Sequence, residues 1–321
     1  MKKTVDFRLG AFVSKYAIVL ITFVLFGYFS FAAQNFFSVS NVANLLRQVS
    51  INGICAVGMA CVILTGGIDL TVGGIIGVSG VMCAYLMLQG VYPIIASLIS
   101  LLIGTLIGLF NAFLISKIRI APMIATMGVN TALRGVAYLV TDGKAIFGFP
   151  TWYNNIGQGY VGPIPIPVII MAVVFLAGVI FLSRTRFSRH IYGVGGNEEV
   201  ARLSGINVAR VKMVVYGIAG FCSALAGLVM LGRVSSGQPK AGDGYEMDII
   251  TATVMGGVSL TGGEGKIQFV IFGVLVIGIL SNGMTMLGVS DYWQRVVKGL
   301  VLILAVGFDR YIQYKKTQDE R

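Results

Sequence analysis

Charged residues are scarce in this chain of 321 residues. Aspartate, glutamate, lysine and arginine together make up 12% of it, whereas the apolar types make up 56%. Soluble domains carry about a quarter charged residues. The composition therefore excludes an ordinary soluble enzyme and predicts an all-α, polytopic membrane protein.

Residues for metal binding and nucleophilic catalysis are also few. His190 is the only histidine, and it lies in a charged segment outside the apolar runs. A histidine metal site or a Ser-His relay within the membrane is thereby excluded. The four cysteines lie in apolar stretches with no CxxC or Cys/His spacing, so we interpret them as packing residues. We expect no catalytic residue, no metal and no cofactor in this chain.

A phosphate-binding loop is missing as well. The pattern Gly-x4-Gly-Lys-Ser/Thr would supply one, but Gly265-Lys266 is followed by Ile267, and Leu260 stands where the first glycine belongs. The chain is therefore not expected to hydrolyse ATP itself. Any ATP used in its function would be consumed by a partner.

Long apolar runs dominate what is present. We predict ten membrane spans within a single transmembrane domain, residues 16–309, flanked by an N-terminal segment 1–15 and a tail 310–321. Ser30-Phe31-Ala32 also fits a signal-peptide cleavage site, but the first run is long enough to span, so an uncleaved span is favoured. The ten runs cover about residues 16–33, 46–64, 72–88, 93–115, 121–140, 168–183, 213–231, 247–260, 267–287 and 292–308.

The basic residues test this topology. With ten spans both termini lie on one side, and 17 of the 24 Lys and Arg residues fall on that side. The positive-inside rule makes it cytoplasmic, which predicts a multi-pass protein of the bacterial inner membrane. The formal net charge of +11 then reflects topology, so we expect lipid as a contact and no nucleic acid.

The segment Arg184–Lys212 is the only long, strongly charged interruption between apolar runs, and it is predicted to be a cytoplasmic loop. Within it, Asn197 can cap a helix, and Glu198 and Glu199 suit the positive end of the helix dipole. Gly205 permits a left-handed stop. A two-turn helix is therefore predicted between these two ends.

Such a short helix is not stable alone in water, so it needs a surface to lie on. Val200 and Leu203 give it an apolar edge, while Glu199 and Arg202 can face elsewhere. The helix either packs on its own membrane domain or docks on another subunit. The candidate docking residues are Asn197, Glu198, Glu199, Val200, Ala201, Arg202, Leu203, Ser204 and Gly205.

A helix break is predicted at Thr65-Gly66-Gly67, directly before Asp69. Acidic residues near glycine breaks bind coupling ions in some carriers, and Asp69 is the best such candidate in this chain. A carboxylate at this turn also suits a cap on the third span, and we favour that interpretation.

Polar side chains inside the spans are candidates for a solute pathway. Asn130 and Arg134 lie four apart on the fifth span and so share a face, while Asn111 and Asn282 lie in other spans. These groups suit the passage of a hydroxyl-rich solute, and they equally suit hydrogen bonds between helices. Both interpretations stay open at this stage.

Glycines recur within and between the spans. Gly104 and Gly108 are spaced to let two helix backbones approach closely. In addition, Ile63–Gly67 (ILTGG) resembles Ser259–Gly263 (SLTGG), and each precedes an outgoing span. The second pattern is a weak internal repeat.

Four stretches resemble the membrane permeases of ribose-type ABC sugar importers. They are Val62–Gly74 (VILTGGIDLTVGG), Tyr192–Lys212 (YGVGGNEEVARLSGINVARVK), Arg233–Ile267 and Ser281–Gly299 (SNGMTMLGVSDYWQRVVKG). With the spans between them they cover nearly the whole chain. The chain is similar to the ribose permeases but departs at Gly237 and Lys240, where small residues such as Ala and Thr are usual, and at Glu264.

The resemblance implies the permease fold of that family and a transport subunit that is not an enzyme. It implies three partners: a second permease copy or paralogue, an extracytoplasmic sugar-binding protein and a cytoplasmic ATPase that uses ATP. A Glu-Ala-Ala then Gly pattern docks on that ATPase in such importers; here Glu198 or Glu199, Ala201 and Gly205 match it, and Val200 replaces one alanine.

Two further expectations accompany this resemblance. Arg233 and Lys240 are candidate contacts for acidic residues of the binding protein. The sugar and the choice between identical and mixed permease pairs are left open. The alternative function is an ion-coupled secondary carrier centred on Asp69.

Overall fold

The computed structural model describes residues 2–319, with side chains described for residues 17–310. This part of the chain is predominantly helical, as predicted. Its helices are α1 Lys2–Ala32, α2 Val39–Leu64, α3 Val72–Leu88, α4 Pro93–Ser116, α5 Pro122–Thr141, α6 Asn155–Gln158, α7 Ile166–Arg184, α8 Arg186–Gly196, α9 Glu198–Leu203, α10 Val208–Val234, α11 Tyr245–Met255, α12 Val270–Met286 and α13 Asp291–Asp319.

The predicted terminal segments belong to the first and last helices. α1 includes residues of the N-terminal segment 1–15 from Lys2 onward, and α13 includes those of the tail 310–321 as far as Asp319. The side chains of residues 1–16 and 311–321 lie outside the described residues.

Among residues 17–310, six helical segments are long and apolar enough to cross a membrane: α2, α4, α5, α7, α10 and Ile267–Met286. Residues Ala17–Ala32 and helix α3 are apolar but shorter. The predicted count of about ten spans is therefore not confirmed. Prolines stand in the first turn of α4, α5 and α7, where the missing N–H has no helical partner to lose.

The predicted span at residues 247–260 needs a correction. Helix α11 ends at Met255, and Gly257 follows in the left-handed region at φ +83°. At 1.5 Å per residue its 11 residues reach only about 16 Å, roughly half of a hydrocarbon core. Residues 256–266 form a loop instead.

The core of the bundle is built around α2 and α10, whose side chains are largely buried. Helix α10 packs closely on α4 through small residues. A Cβ on Gly220 would collide with the carbonyl oxygen of Gly104, and one on Gly108 would collide with that of Tyr216. The predicted close approach at Gly104 and Gly108 is thus confirmed, and it fixes α10 against α4.

The bundle has two ends, which we name by their elements. The α9 end comprises α8, α9, the α2–α3 and α4–α5 connections and the loop 256–266. At the opposite end, residues 142–165 contain a 3₁₀ turn at Thr151–Asn154, the single turn α6 and an antiparallel pair, β1 Tyr160–Val161 with β2 Ile164–Pro165.

Helix α8 was not predicted from the sequence. Its glycines at positions 193, 195 and 196 are poor helix formers, so the helical segment was predicted to begin only after Gly196. The side chains of Ile191 and Val194 are buried, so packing on the bundle stabilises this helix. Asn197 directly joins α8 to α9.

Candidate functional site

The predicted short helix is present as α9, with both predicted ends. Asn197 Oδ1 accepts hydrogen bonds from the N–H groups of Glu199 and Val200, each at 3.0 Å. Gly205 takes φ +82°. The N–H of Ile206 then donates to the carbonyl of Ala201 at 3.0 Å, which closes the C-terminal turn.

One side of α9 is fixed to the membrane bundle. Ala201 is 4% exposed, and Lys212 of α10 donates to Glu198 Oε2 at 2.7 Å. Partial burial alone would raise the pKa of Glu198, but the hydrogen bond from Lys212 and the charges of Lys212 and Arg202 outweigh it and hold that pKa below its ordinary value. Glu198 is therefore ionised at neutral pH and tethers α9 to α10.

The other side of α9 is uncovered in this chain. Val200 is 57% exposed and Leu203 80% exposed. Both lie on a helix whose first turn is capped by Asn197 and whose last turn is closed by the Ile206 N–H. The predicted apolar edge thus exists, and its own bundle covers only Ala201.

A polar cavity of about 730 Å³ lies beside α9 at the same end of the bundle. Its wall includes the Thr65–Gly67 turn, Arg119, Glu198, Lys212 and Tyr216. The cavity therefore connects the surface around α9 with the break between α2 and α3.

Asp69 follows that break and is fully buried. Its Oδ1 accepts from both the N–H and the hydroxyl of Thr71, the residue that precedes α3. Asn111 of α4 donates to the same Thr71 hydroxyl at 2.9 Å. Asp69 thus stabilises the turn that leads into α3, rather than capping the first turn of that helix as predicted.

Asn282 lies in a helix–helix contact. It forms a reciprocal pair with Asn41 of α2, with Nδ2–Oδ1 distances of 2.9 and 3.1 Å. Both side chains are buried. Asn282 therefore forms a hydrogen bond between helices and Asn111 one to the turn before α3, while a role of either residue in a solute pathway stays a prediction.

Asn130 and Arg134 share one face of α5, as their spacing predicts. Both line a cleft of about 300 Å³ together with Lys240 and Asp243 of the segment between α10 and α11. Arg134 Nη1 donates to the Ala241 carbonyl at 2.8 Å. Thr131 and Tyr138 complete the wall of this cleft.

Three polar atoms converge on the start of α3 beside this cleft. A Cβ on Gly73 would collide with Glu246 Oε2 and would lie 2.9 Å from Arg134 Nη2, and one on Gly74 would collide with Asn130 Oδ1. Within the described part of the chain, these three buried atoms have no hydrogen-bond partner. Buried polar atoms of this kind are costly unless something binds them.

Helix α13 is joined to the same region by two ion pairs. Arg295 Nη2 lies 3.1 Å from Asp243 Oδ2, and Lys298 Nζ lies 2.7 Å from Asp248 Oδ2. These four residues and Glu246 were not among the functional residues predicted from the sequence. The sequence did carry a signal for two of them. Arg295 and Lys298 are ionisable residues three apart inside a predicted span, where such residues tend to be functional.

The two candidate contacts for a binding protein lie apart. Lys240 is exposed and belongs to the cleft wall. Arg233 is partly buried beside α2, where its Nη2 donates to Asn44 Oδ1 at 3.4 Å, and its carbonyl accepts from Gln158 at 2.9 Å. The structure therefore brings Lys240 together with Arg134 and not with Arg233.

A bundle of apolar helices with a polar cleft and an exposed, capped helix at one end defines a multi-pass membrane transport protein. Comparison with known families makes this more specific. Residues 41–306 match the family model described as a permease component of branched-chain amino acid transport systems. No solved structure matches the chain.

Curated relatives narrow the family further. The chain is 45% identical over 305 residues to the ribose import permease protein RbsC of Bacillus subtilis (strain 168), covering 94% of this chain and 92% of that protein. It is 41% identical to RbsC of Haemophilus influenzae (strain ATCC 51907 / DSM 11121 / KW20 / Rd), covering 98% of each. It is 37% identical to the D-allose transport system permease protein AlsC of Escherichia coli (strain K12), covering 95% and 94%. The chain belongs to the ribose-type permease family of ABC sugar importers, and its apolar helices make it a multi-pass protein of the bacterial cytoplasmic (inner) membrane.

Proposed function

We propose that this chain is the transmembrane subunit of an ATP-driven importer that takes a monosaccharide or a sugar-like solute from an extracytoplasmic binding protein and passes it to the cytoplasm. Its partners are a cytoplasmic ATPase, which hydrolyses the ATP, and a second permease copy or paralogue. The relatives that are ribose and allose permeases support a sugar as the solute. Their different names leave the particular sugar open.

The proposed topology has both termini in the cytoplasm, with α11 as a helix that crosses only part of the membrane. The distribution of Lys and Arg supports this orientation, and it makes the α9 end of the bundle cytoplasmic. Helix α9 and the cavity beside it then lie where a cytoplasmic ATPase can reach them.

The observation that carries the proposal is the exposed edge of α9. Val200 and Leu203 project from a helix that is capped by Asn197 and Gly205 and tethered by Glu198. An apolar edge that stays exposed to water in the isolated chain is expected to have a partner surface. An ATPase cleft that receives α9 would bury both side chains and would move the helix when ATP closes the ATPase domains.

The proposed solute pathway runs along the cleft of Asn130, Arg134, Lys240 and Asp243. Charged side chains inside a membrane do not face lipid; they face protein or a water-filled passage. A second permease placed against α5 and α13 would cover this face and enclose the passage. Donors and acceptors that already lie side by side there suit sugar hydroxyl groups, and Tyr138 adds an aromatic surface.

Purification of the chain from its native membrane in mild detergent, with mass spectrometry of the co-purifying proteins, tests the proposal. We expect an ATPase with two nucleotide-binding halves, with or without a second permease. Absence of an ATPase, under conditions that preserve other membrane complexes, would contradict it. Uptake into vesicles by this chain alone, driven by an ion gradient, would then support the carrier centred on Asp69.

A further inference from the structure

The two halves of the internal repeat meet in space. The turn after α2 (Thr65–Gly67) lies against the turn Thr261–Gly263 in the loop between α11 and α12. The N–H of Gly263 donates to the carbonyl of Leu64 at 3.0 Å. A Cβ on Gly262 would lie only 2.7 Å from the N atom of Gly66, so the two turns touch through their backbones.

Helix α8 closes this contact from the third side. A Cβ on Gly195 would collide with the carbonyl oxygen of Leu64 and would lie 2.5 Å from the N atom of Gly263. A Cβ on Gly263 would lie 2.7 Å from the N atom of Gly196. Three chain segments therefore pack backbone against backbone, with no side chain between them; we name this contact the glycine junction.

A side-chain hydrogen bond holds the same segments together one turn earlier on α8. Tyr192 Oη donates to the carbonyl of Gly265 at 2.9 Å. Tyr192 lies three residues before Gly195, so both residues face the same side of α8. The loop between α11 and α12 thus contacts α8 at two levels, through this hydrogen bond and through the packing of Gly195 against Gly263.

Helix α8 also leads directly into α9. Asn197 ends the first helix and caps the second, so only one residue separates α8 from α9, and Val200 of the exposed edge lies five residues after Gly195. A displacement of α9 therefore reaches the junction without crossing a flexible linker.

We infer that the glycine junction is the coupling joint of the transporter, with Gly195 as its positioning residue. It transmits movement of α8 and α9 to the end of α2 and to the segment that joins α11 to α12. Because the contact is between backbones, no side-chain rotamer change can absorb the movement, and packed elements shift as one. This inference rests on the proposed docking of an ATPase on α9.

Gly195→Ala and Gly196→Ala form a matched pair for the test. Both change a glycine to alanine at adjacent positions of α8, but an added Cβ meets the Leu64 carbonyl only at position 195, whereas nothing lies within 4 Å of it at position 196. The measurement is sugar imported per ATP hydrolysed, in proteoliposomes that contain the purified permease–ATPase complex and are supplied with binding protein.

We expect Gly195→Ala to lower this ratio by about fivefold or more while the ATPase stays bound, and Gly196→Ala to leave it unchanged. An assembled Gly195→Ala complex with the unaltered ratio would overturn the inference, as would an equal loss in Gly196→Ala. These outcomes are distinct from failure of the proposed function, in which the unaltered chain itself binds no ATPase.

A second variant decides the case in which Gly195→Ala does not assemble. Tyr192→Phe removes only the hydrogen bond to Gly265 and keeps the ring in place. We expect a partial loss of the same ratio, with normal assembly. An unchanged ratio in Tyr192→Phe, with Gly195→Ala unable to assemble, would count against a coupling role for this junction.

Discussion

Lys212 Nζ lies 2.7 Å from Glu198 Oε2, and this ion pair joins the first turn of α9 to the start of α10. Helix α9 has only six residues and little burial of its own. Its position relative to the bundle therefore depends on this pair, on the buried Ala201 and on the link to α8.

The first prediction concerns the pH dependence of that tether. Because the pKa of Glu198 is held below its ordinary value of 4.5, the pair contributes stability above that value and loses it as the pH falls through the lowered pKa. Since Glu198 is partly exposed, the contribution is less than about 1 kcal/mol. Hydrogen exchange of the α9 amides, corrected for intrinsic rates, should show this loss of protection.

The matched variants for this prediction are Glu198→Gln and Glu199→Gln. Glu198→Gln should remove the pH-dependent protection. Glu199 is more exposed and lies 3.6 Å from Arg202 alone, so Glu199→Gln should retain it. Equal effects of the two changes would show that Lys212 does not determine the position of α9.

The second prediction concerns docking. Leu203→Ser should weaken binding of the ATPase by about tenfold to a hundredfold, since burial of a leucine side chain contributes about 1.5–3 kcal/mol. The melting temperature of the isolated permease should hardly change, because Leu203 is exposed in this chain. Affinity of the purified subunits in detergent is the measurement.

Ile118→Ser is the control for Leu203→Ser. Ile118 is also an exposed apolar residue at the α9 end, between α4 and α5, but it lies outside α9. Its replacement should leave ATPase affinity unchanged. An equal loss in both variants would indicate a general effect of surface polarity and not a specific docking edge.

The ends of α9 were predictable from sequence, whereas α8 was not, and the reason is physical. Asn197 and Gly205 act locally, through hydrogen bonds to atoms two to four residues away. Helix α8 depends on tertiary packing, because Ile191 and Val194 are buried on the bundle and Gly195 packs against Leu64 and Gly263, which are far away in the chain. Contacts of that kind leave only faint sequence signals, here the similarity of two short glycine patterns.

Only the part of the candidate cleft that lies on one helix could be predicted from the sequence, again because local spacing is visible there and long-range contacts are not. The four-residue spacing of Asn130 and Arg134 places them on one helix face whatever the fold. Their neighbours Lys240 and Asp243 come from a segment more than a hundred residues further along. Helix α11 ends where Gly257 takes φ +83°, and Gly256-Gly257 was a local sequence signal for that end, although the apolar run continues to Leu260.

The third prediction distinguishes a structural role of Asn282 from a role of this residue in the solute pathway. Asn282→Ala should lower the free energy of unfolding by about 1–3 kcal/mol, because buried Asn41 Oδ1 loses its donor, although Asn41 Nδ2 still donates to the Phe36 carbonyl. The double variant with Asn41→Ala should cost less than the sum of the single changes. Thermal unfolding in detergent measures both effects, and the half-saturating sugar concentration should not change.

The fourth prediction concerns the cleft. Arg134→Gln should raise the half-saturating solute concentration for ATPase stimulation or uptake by about tenfold or more, since hydrogen bonds to charged groups contribute about 1.5–3 kcal/mol. Lys144→Gln is the control, because Lys144 is exposed at the same end of the bundle but outside the cleft wall. An unchanged half-saturating solute concentration in the assembled Arg134→Gln complex would show that Arg134 does not contribute to the solute pathway.

The fifth prediction tests Asp69 as an ion-coupling residue. Asn at position 69 keeps an oxygen that can accept from the N–H and the hydroxyl of Thr71, so the turn before α3 should persist. ATP-driven uptake by the assembled complex should therefore survive Asp69→Asn, with no dependence on a proton or sodium gradient in either form. Thr71→Val, which removes the hydroxyl that also binds Asn111, should be the more damaging change. If Asp69→Asn instead abolished uptake that an ion gradient alone can drive, the carboxylate would be carrying charge and the ion-coupled carrier would be the better description of this protein.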